Sequence, residues 1–192
     1  MLPFAGPTSG PLSEDNMSTQ TWNIDPSHSG VSFSVRHMMI AKVRGSFGAF
    51  SGTISVDTDD FTKSSAKAEI DVTSINTNEP KRDGHLKSPD FFDVEKFPKL
   101  TFTSKRIEGK GERFKVLGDI TLHGVTKEIA LEVTNEGGGK DPWGNQRLAF
   151  TAHGSLNRVD FGLKWNQALE AGGVLVGEKV EIDLELSAVL AK

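Results

Sequence analysis

Apolar and polar residues alternate along most of the chain, as in β-strands that bury one face and expose the other. Residues 179–186, for instance, read KVEIDLEL, so every second side chain is apolar. This alternation predicts eight strands and a short leading strand at Trp22–Ile24. The eight lie at Val31–Arg36, Phe50–Asp57, Lys67–Val72, Leu100–Thr103, Phe114–Leu122, Glu128–Val133, Arg147–Leu156 and Lys179–Leu186.

Parallel sheets contain continuous apolar runs joined by helices, and the sequence has neither feature. We therefore expect an antiparallel sheet with one face in water. Glycine-rich turns support this prediction because they suit tight connections between strands. Such turns occur at Gly109–Gly111, Leu122–Thr126, Gly137–Gly139 and Asp141–Asn145, the last two in one longer loop, and Gly45 and Gly48 predict a bend within a long strand.

Two connections are too long for hairpins and are predicted to contain short helices. In residues 74–99, a helix is expected to begin at Glu79-Pro80, and Ser88-Pro89-Asp90 has the residue types of a second helix start. In residues 157–177, a helical turn is expected near Asn166–Ala171. Long loops in compact domains often cover binding sites, although they also close the ends of a core.

Eight strands with one apolar face can close into a barrel or stack as a two-sheet sandwich, and alternation alone does not choose between these folds. An eight-stranded barrel is either filled by side chains or holds one small ligand. The chain has 192 residues and a net charge of −4, which suits one all-β domain. It has no cysteine, which excludes disulfides and thiolate chemistry.

Several separated blocks of sequence resemble the YceI-like, polyisoprenoid-binding family. They follow one another in the order found in that family and span about residues 20–190. The blocks are Trp22–Ser29, the alternating Val31, Phe33, Val35 and His37, Val43–Phe47, Arg82–Asp93, Gly118–Thr126 and Asn157–Leu163.

The resemblance implies an all-β, extended eight-stranded antiparallel lipocalin-like barrel with a long apolar pore. It also implies a carrier or sequesterer of a long-chain amphipathic lipid, such as a polyisoprenoid or an isoprenoid quinone, and no cofactor. The barrel domain is expected to cover residues 19–192. Residues 1–18 are rich in proline and glycine and are expected to form a disordered tail.

Side chains on the apolar parity of the strands are the expected pore lining. Each one taken singly is better explained as plain core, and it is the family resemblance that favours a pore lining for the set. The predicted ligand-binding set is Phe33, Val35, Phe47, Phe50, Ile54, Ile70, Phe102, Val116, Ile120, Leu131, Phe150 and Ile182. An anionic head group requires cations at the pore mouth. The candidates are Arg44, Arg82, His85 and Arg158, with Lys87 beside them.

No catalytic or metal-binding motif accompanies these residues. The five histidines, at positions 28, 37, 85, 123 and 153, lack the close spacing of a zinc motif, although a Ser–His–Asp set assembled in space stays open. We therefore expect no enzyme and no metal. The alternatives are a β-sandwich interaction module without a ligand, and an isomerase or hydrolase that would require an inward-facing carboxylate or histidine.

Charge and hydropathy limit the partners and the location. Lysine and arginine are dispersed along an acidic chain, so nucleic acid is not expected as a partner. No apolar run reaches the length of a membrane span. Residues 1–18 lack the basic and apolar regions of a signal peptide, which predicts a cytoplasmic protein, or a periplasmic one whose leader has been removed or replaced. A homodimer is compatible with each function.

Overall fold

The computed structural model describes residues 19–192, so the predicted disordered tail at 1–18 lies outside the described residues. Strands dominate, as the alternation predicts. They are β1 Thr19–Ile24, β2 Gly30–His37, β3 Ala41–Phe47, β4 Phe50–Asp57, β5 Ser65–Asp71, β6 Ile75–Asn76, β7 Lys99–Gly109, β8 Arg113–Leu122, β9 Val125–Lys140, β10 Gln146–Asn157 and β11 Val176–Leu190. The α-helix α1 spans Pro80–Lys87, and 3-10 turns lie at Pro26–His28, Phe61–Lys63, Val72–Ser74 and Arg158–Phe161.

The strands close into an antiparallel barrel rather than a sandwich. Neighbouring strands follow the order β1-β4-β5-β7-β8-β9-β10-β11, and β11 pairs with β1 to complete a ring of eight. Closure occurs through the pairs Trp22–Leu190 and Ile24–Ala188. The predicted eight-stranded barrel is therefore confirmed, and the sandwich alternative is wrong.

Bends in two long strands explain the additional strand segments. β2 continues β1 and pairs with the first half of β11, whereas β1 pairs with the end of β11. β3 and β4 are similarly one strand, interrupted at Gly48, where the sequence predicts a bend. The ring thus keeps eight positions, because β1 pairs with β4 and β2 with β3, so the two bent strands stay paired with each other on both sides of their bends.

Three local predictions require correction. Ser88–Asp90 begins no helix: Ser88 caps the end of α1, and its carbonyl then accepts bonds from Phe91 and Asp93 in successive turns. Residues 166–171 form no helical turn, because Ala168 and Val174 make an isolated β-bridge there. Gly137–Gly139 belong to β9 rather than to a loop, since they pair with residues 147–149 of β10.

The two ends of the barrel differ in how they are closed. The loop end carries residues 72–98, 123–124 and 158–175, and the opposite hairpin end carries residues 58–64, 109–112 and 141–145. At the loop end, Val72, Phe91 and Phe161 are buried in the larger apolar cluster. At the hairpin end, Phe61 packs edge-on against Phe114 at 4.7 Å between ring centres. Both ends therefore contribute side chains to the barrel interior.

Candidate functional site

The barrel encloses an apolar cavity of about 260 Å³. Leu86, Phe91 and Leu163 line it at the loop end, and Phe61 and Phe114 line it at the hairpin end. The cavity therefore extends along the length of the barrel. It arises because successive side chains of a strand point to opposite faces, which turns one apolar face of every strand inward.

The structure brings all twelve predicted lining residues to this cavity. They converge because each lies on the inward parity of its strand, as β8 illustrates: Phe114, Val116 and Ile120 are buried, while Lys115, Leu117, Asp119 and Thr121 on the opposite parity are more exposed. Whether these side chains contact a ligand stays a prediction. Sequence reasoning missed Phe91 and Leu163, which lie in the long connections, and the only signal was the apolar pair Phe91-Phe92 within a polar segment.

An inward-facing glycine makes room for one of the aromatic rings. Gly118 lies on the buried parity of β8, and a methyl group there would approach Cζ of Phe102 to 2.5 Å. The ring of Phe102 thus occupies the space that a side chain at position 118 would need. Glycine on the inner face of a strand indicates such a close approach.

Arg158 is the predicted head-group residue that borders the cavity, and it is almost fully buried. Its guanidinium donates to the carbonyls of Gly177 at 2.8 Å, Leu163 at 2.6 Å, Trp165 at 3.0 Å and Val176 at 3.1 Å. Burial lowers the pKa of this arginine, and the charge of Glu178 opposes that effect. Arg158 therefore fastens the connection 158–177 across the loop end.

The bonding of Arg158 leaves one of its donors unused. A guanidinium has five N–H donors, and the four carbonyl bonds leave one Nη2 donor without a partner among the described residues. No carboxylate in residues 19–192 forms an ion pair with it. Arg158 is thus a buried cation at the loop end, held by four carbonyls, and Glu178 is the acidic residue whose charge acts on it.

The other predicted head-group residues do not converge on the cavity. Arg44 is exposed on the outer parity of β3. Arg82 bonds the hydroxyl and the carbonyl of Thr77, both at 2.8 Å. His85 pairs with Asp90 at 2.8 Å. Lys87 and these three residues are absent from the cavity lining, so their role in binding a head group has no geometric support.

Asp25, Ser27 and His28 meet, but not in the arrangement of a catalytic triad. Both the Ser27 hydroxyl, at 3.0 Å, and the Asp25 carboxylate, at 2.8 Å, approach the same ring nitrogen, Nδ1 of His28. A triad instead places the nucleophile on the nitrogen opposite the carboxylate. The group lies at an exposed 3-10 turn outside the cavity, so its bonds stabilise the turn.

The cavity offers little for acid–base chemistry. Among residues 19–192, no aspartate, glutamate or histidine lines it. Within the same residues, no group of three histidine or carboxylate side chains could hold a metal ion. The arrangement is that of an apolar chamber with one buried cation at its loop end.

Comparisons with known proteins agree with this geometry. Staphylococcus aureus proteins named UPF0312 are 39% identical over 163 residues, which is 84% of this chain and 93% of theirs. The Campylobacter jejuni YCEI protein superposes with a TM-score of 0.67 at 28% identity, over 82% of this chain and 90% of that one.

Two more distant structures share the fold. BcnA of Burkholderia cenocepacia gives a TM-score of 0.75 at 24% identity, covering 85% of this chain and 98% of that one. A polyisoprenoid binding domain from Saccharophagus degradans gives 0.63 at 18% identity, covering 90% and 99%. The model of the YceI-like domain matches residues 22–188, and the chain therefore belongs to the YceI-like family.

Proposed function

We propose that this protein binds a long-chain amphipathic lipid, such as a polyisoprenoid or an isoprenoid quinone, inside the barrel and carries or sequesters it. The observation that carries the proposal is the apolar cavity that extends from Leu163 at the loop end to Phe114 at the hairpin end. An elongated apolar chamber suits an elongated apolar ligand, because each buried methylene contributes about 0.8 kcal/mol.

The volume of the cavity sets the scale of the ligand. A cavity of about 150 Å³ holds one benzene molecule, so 260 Å³ corresponds to roughly ten carbon atoms by the same scale. Ten buried methylenes contribute about 8 kcal/mol before the costs of ordering the chain. A longer isoprenoid would gain more binding free energy but needs more space than the cavity provides. Half-buried lining rings such as Phe33, Phe50 and Phe102 would therefore have to change rotamer to admit it.

The polar end of the ligand is assigned to the loop end, next to Arg158. The guanidinium has one unused Nη2 donor and no ion-pair partner among residues 19–192, and it would favour an anionic or strongly accepting head group, such as a phosphate or a quinone carbonyl. The remaining lining is almost entirely apolar, and it favours the hydrocarbon tail. One lipid orientation is therefore expected, with the head at Arg158.

The family and one of its structural relatives support a binding role rather than an enzymatic one. The Saccharophagus degradans domain that shares the fold is described as polyisoprenoid binding. A chamber without carboxylate or imidazole groups among the described residues lacks the side chains that most often act as general acid or base. An apolar lipid is the ligand class that such a chamber selects.

The test compares two phenylalanine substitutions on neighbouring residues of β10. Ala152 faces the cavity, whereas His153 faces outward and is exposed. Ala152→Phe places a ring in the chamber and is expected to abolish the binding of a fluorescent polyprenyl analogue. The matched control His153→Phe loses only an exposed hydrogen bond with Asp183 and is expected to bind normally. Equal binding by both variants, each shown to be folded by circular dichroism, would contradict a ligand inside the barrel.

A further inference from the structure

The hairpin that joins β2 and β3 presents an exposed apolar tip at the loop end. Met38, Met39 and Ile40 are 47%, 56% and 83% exposed, and Val174 on the adjacent connection is 37% exposed. These four residues form what we call the tip patch. Large apolar side chains grouped at one exposed point mark interaction sites.

The backbone of the tip is held in an unfavourable conformation. Met38 and Met39 have φ angles of 52° and 63°, in the left-handed region that asparagine and glycine adopt easily and methionine does not. Turns of this kind ordinarily carry Asn-Gly. The two methionines therefore cost stability at this site, as is common where side chains serve binding.

Positive charge surrounds the tip patch. Arg36 and Lys42 are directly opposite each other across the hairpin, and Arg44 follows two residues later. All three are exposed and form no ion pair within residues 19–192. The sequence has no acidic residue between Asp25 and Asp57, although the whole chain has a net charge of −4. The positive charge is thus local to the hairpin.

Acidic groups nearby cancel only part of this charge. On the adjacent strand β11, Glu181 pairs with Lys179 at 2.8 Å, so that pair is neutral. Glu178 accepts a hydrogen bond from the neutral amide of Asn157 at 3.3 Å and keeps its negative charge, which offsets one of the three cations. The connection 163–175 contains one lysine and one glutamate, so its net charge is zero. The hairpin therefore keeps its cationic character.

We propose that the tip patch docks the protein on an anionic lipid surface. An apolar point flanked by arginine and lysine matches the bilayer interface, where apolar side chains enter the acyl boundary and cations contact anionic head groups. The tip extends about 10 Å beyond Val35, the last cavity-lining residue of β2. Docking would bring the loop end of the barrel, with Arg158, to the membrane.

The test is cosedimentation of the full chain with vesicles made of equal parts phosphatidylcholine and phosphatidylglycerol, compared with phosphatidylcholine alone. The wild type is expected to bind the anionic vesicles preferentially, and to release as salt rises to about 0.5 M. The triple variant Met38→Asn, Met39→Gly and Ile40→Ser removes the apolar tip. It also places residues that tolerate a left-handed backbone at positions 38 and 39, so it is expected to be at least as stable as the wild type. Its binding to the anionic vesicles is expected to be at least about tenfold weaker. Arg36→Gln and Lys42→Gln are each expected to weaken binding about fivefold.

Trp143→Ser is the matched control. Trp143 is 80% exposed at a hairpin tip of the opposite end, and its removal is expected to leave vesicle binding unchanged. Ala152→Phe is also expected to bind vesicles normally, which separates docking from cargo binding. Absence of wild-type binding, or equal loss in Trp143→Ser, would overturn the proposal. A concentration-dependent dimer without vesicles that the triple tip variant abolishes would also overturn it, because the tip would then be a subunit interface.

Discussion

The ring of Phe33 covers the bare α-carbon of Gly45, the residue directly opposite it in the β2–β3 pair. A methyl group at Gly45 would lie 2.4 Å from Cζ of Phe33 and 2.9 Å from Cγ2 of Thr77. A methyl group would fit only if one of these side chains moved. Phe33 lines the cavity, and Thr77 belongs to the connection 72–98 at the loop end. The shape of the chamber at this point thus depends on the absence of a side chain.

Gly45→Ala is expected to lower the free energy of unfolding by about 1–3 kcal/mol, the usual cost of overpacking. Gly48→Ala is the control, since a methyl group there would meet nothing within 4 Å. Urea unfolding of the two variants measures the difference. Equal stability of both variants would show that Phe33 can move away from Gly45 at no cost.

Arg158→Met is expected to destabilise the fold by about 3 kcal/mol, because it leaves buried carbonyls at the loop end without a charged donor. The same measurement on Arg44→Met, an exposed position, is expected to change stability by less than about 0.5 kcal/mol. A destabilisation of Arg158→Met as small as that of the control would mean that water replaces the guanidinium, and that the connection 158–177 does not depend on it.

Stability is expected to fall below pH 4 because of the cluster around Arg147. Hydrogen bonds from Ser27, Arg147 and His28 lower the pKa of Asp25. Burial raises the pKa of Asp141, but hydrogen bonds from Asn145 and Arg147 outweigh it and lower that pKa to about 2. A carboxylate whose pKa is lower in the folded state than in the unfolded state stabilises the fold. That contribution is fully present when the pH is above the pKa of the unfolded state, near 3.8, and it is lost as the pH falls toward the pKa of the folded state.

Arg147→Gln removes a hydrogen bond that lowers the pKa values of both Asp25 and Asp141. The stability of this variant should therefore decline less steeply than that of the wild type between about pH 4 and pH 2. Urea midpoints measured for both proteins across this interval provide the comparison. Parallel curves would indicate that the remaining partners alone hold the two carboxylates ionised.

Met38→Asn combined with Met39→Gly is expected to raise the free energy of unfolding by about 1–2 kcal/mol, since both residues adopt left-handed backbone. Met38→Ala is the control: it removes the side chain but keeps a β-carbon in the same conformation, so no gain is expected. Thermal unfolding measures both variants. A gain of equal size in Met38→Ala would attribute the effect to the exposed side chain rather than to the backbone.

The strands and the inner face of the sheet could be predicted from sequence because a single period governs both, whereas the choice of a barrel over a sandwich depended on the resemblance to the YceI-like family. Alternation with period two assigns Phe33, Ile120 and Ile182 to the inner face before any strand partner is known. Ring closure was less accessible, since the strand that completes it, β1, is only six residues long.

The connections were harder to predict because local residue preferences fit more than one structure. Ser88 has the chemistry of a helix start, yet its hydroxyl donates to the carbonyl of His85 at the end of α1, and its carbonyl accepts bonds in the turns that follow. Gly137–Gly139 suggest a loop, yet pairing with β10 keeps them in a strand. The role of Arg158 was inaccessible for a similar reason: its four acceptors lie five to nineteen residues away, and only the fold brings them together.

Native mass spectrometry of the purified full chain, followed by solvent extraction and identification of the released material, tests the central claim most directly. The account predicts a stoichiometric adduct of a long-chain amphipathic lipid, or uptake of one when polyprenyl and quinone lipids are offered, and loss of that adduct in Ala152→Phe. An apo mass for the wild type that persists after these lipids are offered would contradict the proposal that the barrel is a lipid chamber.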